Sequence, residues 1–512
     1  MSKRKKRQLA ANLSFILVLI LIVSAFVISH NLKKRNIVPA SEIYGCDDLE
    51  GAVIGVQLGT TGDVYASDYE GDDAGTVIEK YNKGTDAIMA LKQGKIDCVI
   101  IDELPAIEFV RKNSDLSILE EEFTLEEYAI CIAKGNDVLR EQINNTLAEL
   151  MADGTLSQIY NYYINNEDGS ILRYVPLENV DRSNGTLTVA TNVAFPPYEF
   201  YENNQAVGID MDLGQAIADR LGMELVVEDM EFDSIIVSVS SGKADIGMAG
   251  MSVTEDRLKN IDFSDSYATS KQVIVVRNGG EENKQSFVSK FKQNFITDSR
   301  WKYLAKGLGN TLIITIFAVL IGILLGFVIA IIRVSHDMNG TFGLWNLFCK
   351  IYLTIMRGTP AVIQLLIIYY VIFASVNINK VLVAVIAFGL NSAAYVAEVI
   401  RAGIMSIDKG QFEAGRSLGL SFGKTMTYII LPHAIKNTLP ALGNEFIALL
   451  KETSISGYIG LQDITKAGDI IRSTTWEAFM PYIAVAIFYL VLVMILTSGV
   501  NYMERRLKKS ER

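Results

Sequence analysis

Residues 413–432 read EAGRSLGLSFGKTMTYIILP. This is a polar, basic interlude between two strongly apolar regions. Glu413-Ala414-Gly415 is followed by Gly419, then nine residues, Ile429, one more residue, and Leu431-Pro432. The physical reading is a short helix, a turn that glycine permits, and a second helix. Small residues at 414, 415 and 419 leave room for another backbone to approach closely. The plain alternative is an ordinary loop between two membrane spans, and the rest of the chain decides between them.

The net charge of −11 over 512 residues hides a sharp split. Between Glu42 and Glu282 there are 46 acidic and 16 basic residues, whereas the remainder carries 12 acidic and 31 basic. An acidic, water-soluble module joined to a membrane part with basic flanks fits that asymmetry, and a nucleic-acid binder does not. Cys46, Cys98, Cys131 and Cys349 lie far apart, with neither metal-ligand spacing nor a disulfide framework. Three histidines, His30, His336 and His433, pair with no nucleophile in the sequence. The reading is a chain without a catalytic site, cofactor or metal.

At the N-terminus SKRKKR (2–7) precedes an apolar run over 13–29. We read 1–30 as a basic head plus a membrane anchor or signal segment, favouring an uncleaved anchor. Cys46 lies too far beyond that run to be a lipid-attachment site. From 51 to 164 strands and helices alternate. VIGVQLG, IDCVIID and EEYAICIAKG read as strands, KYNKGTDAIMALKQGK as a helix, and residues 138–164 as one long helical stretch. After a polar connector at 165–185, LTVATN, ELVVED, ADIGMAG and KQVIVV read as strands and GIDMDLGQAIADRLG as a helix. The fold class is α/β up to about residue 280, then all-α. Spans are expected at roughly 309–332, 361–373, 381–404, 435–454 and 481–503, with Arg333, Arg357, Lys409, Arg416 and Lys424 on the cytoplasmic side.

FPPYEF, GIDMDL, GKADIGMAGMSVTEDR and IDFSDSY resemble the first lobe of the soluble amino-acid-binding proteins that feed ABC importers. IGVQLGTTGD, GKIDCVIIDELPA and ADGTLSQI resemble the second lobe, but here they come first. The resemblance therefore implies a two-lobed, periplasmic-binding-protein-like domain over 45–280 that is circularly permuted, with 49–164 as lobe 2 and 186–278 as lobe 1. The alternative is two incomplete domains. RGTP at 357–360, SAAYVAEVIRAGI at 392–404 and the 413–432 stretch resemble polar amino-acid permeases of the type I ABC importer class. That resemblance covers 301–506, after a linker at 281–300. It makes 413–432 the EAA loop, with Gly415 in place of the usual second alanine and Glu413, Ala414, Gly415 and Gly419 as the ATPase-coupling residues.

Holding an amino acid takes a cation for its carboxylate, an anion for its ammonium and a lid against water. Arg257 suits the first task because a guanidinium fork matches two carboxylate oxygens. In the family the corresponding arginine does this, with the position of Ser252 beside it. Thr61, on the turn before a helix, can offer its N–H to the same carboxylate. Asp102, ending the IDCVIID strand, matches the acid that receives the ammonium, aided by the carbonyl of Gly250. The plain alternatives are a surface arginine and a strand-end helix cap. Phe195 and Phe232 match aromatics that sandwich the side chain, although unaided either reads as core. Asn192 and Gln57 occupy positions that face the ligand side chain in the family. Two neutral amides there suit a neutral polar side chain, so glutamine or a similar residue is the expected ligand.

GKT at 423–425 is no phosphate loop, because position 418 is leucine and no strand precedes it. The ATPase is expected on a separate subunit docked at 413–432, and the permease part is expected to form a homodimer. The chain is expected in the prokaryotic cell membrane as a multi-pass protein. Its binding domain would lie outside the cell, and the EAA loop and C-terminus inside. A ligand-gated channel would place its pore between the two lobes and need a filter. A membrane sensor would need a cytoplasmic output domain. Neither pattern is present in this sequence.

Overall fold

The computed structural model describes residues 39–70, 75–166, 168–278, 286–374, 376, 378–475 and 477–509. The expected N-terminal anchor lies outside the described residues. The acidic half contains strands β1 (Val53–Gln57), β2 (Val77–Tyr81), β3 (Cys98–Asp102), β4 (Leu116–Ala133), β5 (Thr186–Thr191), β6 (Phe200–Glu202), β7 (Gln205–Val207), β8 (Glu224–Asp229), β9 (Ile246–Gly247) and β10 (Ile261–Arg277). Its helices are α1 (Thr61–Ser67), α2 (Gly84–Lys92), α3 (Glu103–Lys112), α4 (Asp137–Ala152), α5 (Thr155–Ile164), α6 (Ile209–Leu221), α7 (Phe232–Ser240) and α8 (Glu255–Leu258).

Eight strands form one sheet in the order β2-β1-β3-β10-β4-β9-β5-β8. The strands at each end run parallel to their neighbours, as expected of apolar runs such as CVIID joined through helices. In the middle, the long strands β4 and β10 pair antiparallel from Ile261↔Ala133 to Arg277↔Leu116, with register shifts around Ser266 and Val273. β10 joins β3 at Gln272–Val276, while β4 joins β9 at Cys131–Ile132. This ribbon therefore runs from one lobe into the other, and the cleft lies over it.

Three expectations change. First, Lys80 and Tyr81, the start of the expected helix, belong instead to strand β2, because VIEKY pairs along the whole of β1 as its parallel edge neighbour. Second, the long helix over 138–164 is two helices, broken where Gly154 adopts φ +83°. Third, the chain changes lobe within β4 rather than after residue 164. α4 and α5 pack on α6, where Tyr163 donates to Asp212 (2.9 Å) and Arg220 to Asp153 (2.6 Å). The lobe that holds Arg257 thus comprises roughly 129–263, and β1–β3 with the end of β10 form the other. The two ends of the acidic half meet, since Ser41 N–H donates to the Arg277 carbonyl at 2.8 Å. The Arg277 guanidinium also donates to the carbonyls of Pro39, Leu91 and Ile96.

The second half is helical: α9 (Trp301–Asn339), α10 (Gly343–Gly358), α11 (Ala361–Ile367), α12 (Lys380–Met405), α13 (Lys409–Ser417), α14 (Phe422–Thr425), α15 (Leu431–Glu452), α16 (Ile464–Thr475) and α17 (Phe479–Lys509). Among the described residues α9, α12 and most of α17 are long and apolar enough to cross a membrane, at mean hydropathies of 3.1, 1.8 and 2.6. A fourth span arises if α10 and Ala361–Ile372, bent by 110°, count as one. The expected span at 435–454 corresponds to α15. That helix carries Lys436, Glu445, Lys451, Glu452 and an internal proline, Pro440, and does not reach that apolarity. α9 and α12 pack closely through small residues: a Cβ on Gly322 would sit 2.6 Å from Ser392 Oγ, and one on Gly326 2.7 Å from Val396 Cγ1.

Candidate ligand-binding site

All nine expected ligand residues fall around the cleft between the lobes, where the enclosed cavity is about 10 Å³, room for about one water. Arg257, 8% exposed, stands at its centre. The four-residue α8, capped by the Thr254 hydroxyl, fixes its backbone. Its Nη1 donates to the Ser252 carbonyl on its own lobe (2.6 Å), and its Nη2 to the Gly59 carbonyl on the other (2.9 Å). The guanidinium lies 5.4 Å from the centre of the Phe232 ring, a cation–π distance. Gln57 and Asn192 meet across the cleft, Gln57 Nε2 donating to Asn192 Oδ1 at 3.2 Å. Their remaining groups are engaged by Gly84 N–H (3.0 Å) and the Met230 carbonyl (2.7 Å).

Asp102 ends β3, fully enclosed, and receives the Tyr128 hydroxyl. Burial, and then the neighbouring Glu126 charge, push its carboxyl up to about 7, although Tyr128 and Gln272 pull the other way. Gly250 needs its φ of +51° and its missing side chain, since a Cβ there would lie 3.0 Å from the Phe195 ring and 3.1 Å from Tyr128. Its N–H donates to Asp210 (2.9 Å), which also accepts from Tyr267 (2.8 Å).

Three cleft groups escaped the sequence reading. Glu199 lines the cavity, fully buried, and neither of its oxygens accepts a hydrogen bond. Burial and the adjacent Asp210 hold its carboxyl well above the usual range. Glu199 thus stands as a buried carboxyl beside the Asp210 carboxyl, which opposes its ionisation. Tyr128 packs edge-on against Tyr198 at 5.2 Å. Glu126 accepts from the hydroxyls of Thr61 (2.7 Å) and Ser252. The period-two alternation Glu126-Tyr128-Ile130 within EEYAIC was the available signal, because it places all three on one face of β4.

A second set of contacts joins the lobes to the helical half. Lys83 and Asp86, at the start of α2, pair with Asp469 and Arg472 of α16. Three residues before Asp469, Lys466 of α16 lies 3.5 Å from both Asp229 and Glu231 of the other lobe. Lys380 pairs with Glu228, and Lys243 donates to the carbonyls of Phe373 and Val376. Gly460, at φ +66°, sits so close to the other lobe that a Cβ would be 2.2 Å from the Asp229 carbonyl oxygen. One short helix therefore touches both lobes across the mouth of the cleft.

The chain matches the family described as bacterial extracellular solute-binding proteins, family 3, over residues 187–457. It belongs to that family. It is also 40% identical over 211 residues to the arginine transport system permease protein ArtQ of Bacillus subtilis (strain 168), covering 41% of this chain and 94% of that protein. Against the glutamine transport system permease protein GlnP of Escherichia coli (strain K12) the identity is 36% over 210 residues, 40% and 93% of the two chains. A solved structure described as an amino acid ABC transporter with histidines shares 42% identity at a TM-score of 0.39, over 44% of this chain and 99% of that one. The chain thus fuses a solute-binding domain to the permease component of an amino-acid ABC importer.

In this solute-binding–permease fusion the 413–432 stretch forms α13, a turn at Gly419 (φ +83°) and α14, running on through residues 426–430 into α15. The expectation that positions 414, 415 and 419 all admit a neighbour changes in part. Gly415 is buried within the loop's own packing, where a Cβ would meet Thr425 Cγ2 at 2.7 Å and Ile429 Cδ1 at 2.9 Å. Glu413, Ala414 and Gly419 are exposed, and nothing lies within 4 Å of a Cβ at Gly419.

Proposed function

We propose that this chain captures a polar amino acid, glutamine-like in its side chain, between its two lobes and passes it through its own permease part. Arg257 takes the α-carboxylate together with Ser252 and Thr61. Asp102 and the Gly250 carbonyl take the ammonium. Phe195 and Phe232 flank the side chain, with Gln57 and Asn192 at its end. The observation that carries this reading is Arg257 itself, a buried guanidinium bonded to carbonyls of both lobes in the cavity that Asp102 also lines. A neutral side chain is supported by the Gln57–Asn192 pair and by Glu199, whose buried carboxyl is held above the usual carboxylate range by burial and by Asp210. Titration calorimetry on the full chain with glutamine, asparagine, histidine, arginine and glutamate tests the assignment. Preference for arginine overturns the side-chain assignment, and undiminished binding by Arg257→Ala removes that residue from the site.

The acidic half is one domain in permuted order, its new ends held together at Ser41 and Arg277. Residues 39–278 expressed alone give a monomer that binds one amino acid. An obligate dimer or a ligand-blind protein means two incomplete domains instead. Energy comes from a separate ATPase docking on Glu413, Ala414 and Gly419, at a loop that faces the cytoplasm with the C-terminus. The permease parts pair as a homodimer, and the binding domain lies outside the cell. Co-purification with an ATP-hydrolysing subunit tests that assembly.

A further inference from the structure

The anchor for the ligand's carboxylate is already filled by a carboxyl group of the chain. Glu126 Oε2 accepts the Thr61 hydroxyl of one lobe and the Ser252 hydroxyl of the other, so one oxygen ties both walls of the cleft. Glu126 is 6% exposed, and its second oxygen, Oε1, is buried with no partner. Its charge is the largest favourable influence on the Arg257 guanidinium. It sits on β4, the strand that crosses between the lobes, so it needs no lobe movement to reach either wall. A cavity of about 10 Å³ has room for about one water and not for an amino acid. Burying a carboxyl group with one oxygen unsatisfied is costly, and a chain that only needed a spacer here would be served by an apolar residue.

We propose that Glu126 is an internal stand-in for the ligand carboxylate. It engages the Thr61 and Ser252 hydroxyls and lends its charge to Arg257, ties the two lobes together, and must be displaced before an amino acid can seat. The residue then sets affinity by competition: the ligand's carboxylate gains only the difference between its own bonds and those that Glu126 gives up. Ligands with a second strong contact, such as an ammonium on Asp102, can displace it, whereas simple carboxylates cannot. This inference rests on the proposed role of Arg257, Ser252 and Thr61.

The test uses the full chain in detergent, with L-glutamine and L-arginine as probes in titration calorimetry. Glu126→Ala is expected to bind the preferred probe about tenfold more tightly, the loss of one competing charge-assisted bond. Glu126→Gln keeps an acceptor for the two hydroxyls but loses the charge, and falls between Glu126→Ala and the unchanged protein. It also serves as the readout if the alanine variant does not fold. Tightening of either variant supports the competitor role. Weakened binding shows that Glu126 touches the ligand directly, and affinity within twofold of the unchanged protein shows a spectator; each overturns the inference. Arg257→Ala, run in parallel, separates the two levels. If it binds normally, the anchor reading fails with everything built on it; if it loses binding while Glu126→Ala does not tighten, the competitor alone is wrong.

Discussion

The cleft and the permease contact join parts of the same chain by different chemistry. Across the cleft the bonds between lobes, among the described residues, include no ion pair: a Gln57–Asn192 amide pair, the Arg257 guanidinium on the Gly59 carbonyl, and Glu126 accepting two hydroxyls. Across the permease contact they are ion pairs, Lys83–Asp469, Arg472–Asp86, Lys380–Glu228 and Lys466 between two acids. The difference follows from what each junction must accept. A cleft that must open for a zwitterion avoids locking its charges into ion pairs between the lobes. A permanent neighbour can bring its countercharges in the same chain. Both lobes reach α16, so a change of lobe separation in the cleft is felt at the ion pairs. If the lobes move as rigid bodies when ligand binds, the two junctions are linked.

The largest effect expected from breaking this picture is in the cleft. Arg257→Ala should cost several kcal/mol of ligand binding, since charged hydrogen bonds contribute roughly 1.5–3 kcal/mol each. Calorimetry should then find no saturable heat at concentrations that saturate the unchanged protein. Next comes the permease contact. Arg472→Glu puts a like charge against Asp86 and Asp469 at a place where Arg472 is 5% exposed. Breaking a buried pair of this kind costs on the order of 3 kcal/mol. Ligand affinity should stay near normal, while ligand-stimulated ATP hydrolysis in reconstituted vesicles with the partner ATPase should largely disappear. Partial recovery in Asp86→Lys combined with Arg472→Glu would tie the effect to this pair. Normal stimulation in the single variant would mean that α16 is not how the lobes are read.

Much of the cleft was legible in the sequence because each motif carries its own local geometry. IDCVIID ends a buried strand wherever it folds, so Asp102 had to lie at a strand end. TEDR caps its own short helix through Thr254, which presents Arg257. What was not legible depends on distant pairing. Lys83 and Asp469 are 386 residues apart, and as sequence each is an ordinary surface charge. Nothing local in residues 137–164 says which lobe they cover, because that is decided by packing on α6. The helix expected from Lys80 begins only at Gly84, because Lys80 and Tyr81 close a strand that only the neighbouring β1 completes. Strand alternation puts Glu126, from the acidic run EEFTLEEY, on one face with Tyr128 and Ile130, but only the opposing hydroxyls give it a role.

A third effect is smaller and concerns proton linkage. With Asp102 at about 7 in the empty cleft, an ammonium that requires its ionised form must displace a proton below that pH. Affinity should be flat above pH 7 and fall by up to tenfold per pH unit as pH drops towards 5. Stability of the empty protein runs the other way. The folded carboxyl binds its proton at higher pH than an unfolded aspartate at about 3.9, so Asp102 stabilises the empty fold increasingly as pH falls from 7 towards 4. Glu199 and Asp210, the latter raised to about 6, push stability in the same direction, so the Asp102→Asn variant is the control. Opposite trends of calorimetric affinity and melting temperature, both blunted in that variant, are the expected result. An affinity indifferent to pH between 5 and 8 would take the ammonium away from Asp102.

The smallest effect sharpens the comparison at a surface that meets nothing within the chain. Gly419 is exposed, holds φ at +83° and has open space where a Cβ would project, in contrast to Gly460, whose Cβ would strike the Asp229 carbonyl. Gly419→Ala therefore meets no clash and suffers only the left-handed backbone conformation, about 1 kcal/mol. If the surface were free, that is all that would follow: a slightly less stable turn and unchanged transport. Gly419→Val doubles as a probe of an approaching partner, because its branched side chain fills the open space. We expect near-normal ATP hydrolysis with alanine and a severalfold loss with valine, with ligand affinity unchanged in both. Equal losses would locate the effect in the turn itself, and no loss with valine would move the ATPase contact away from Gly419 to the neighbouring exposed residues Glu413 and Ala414.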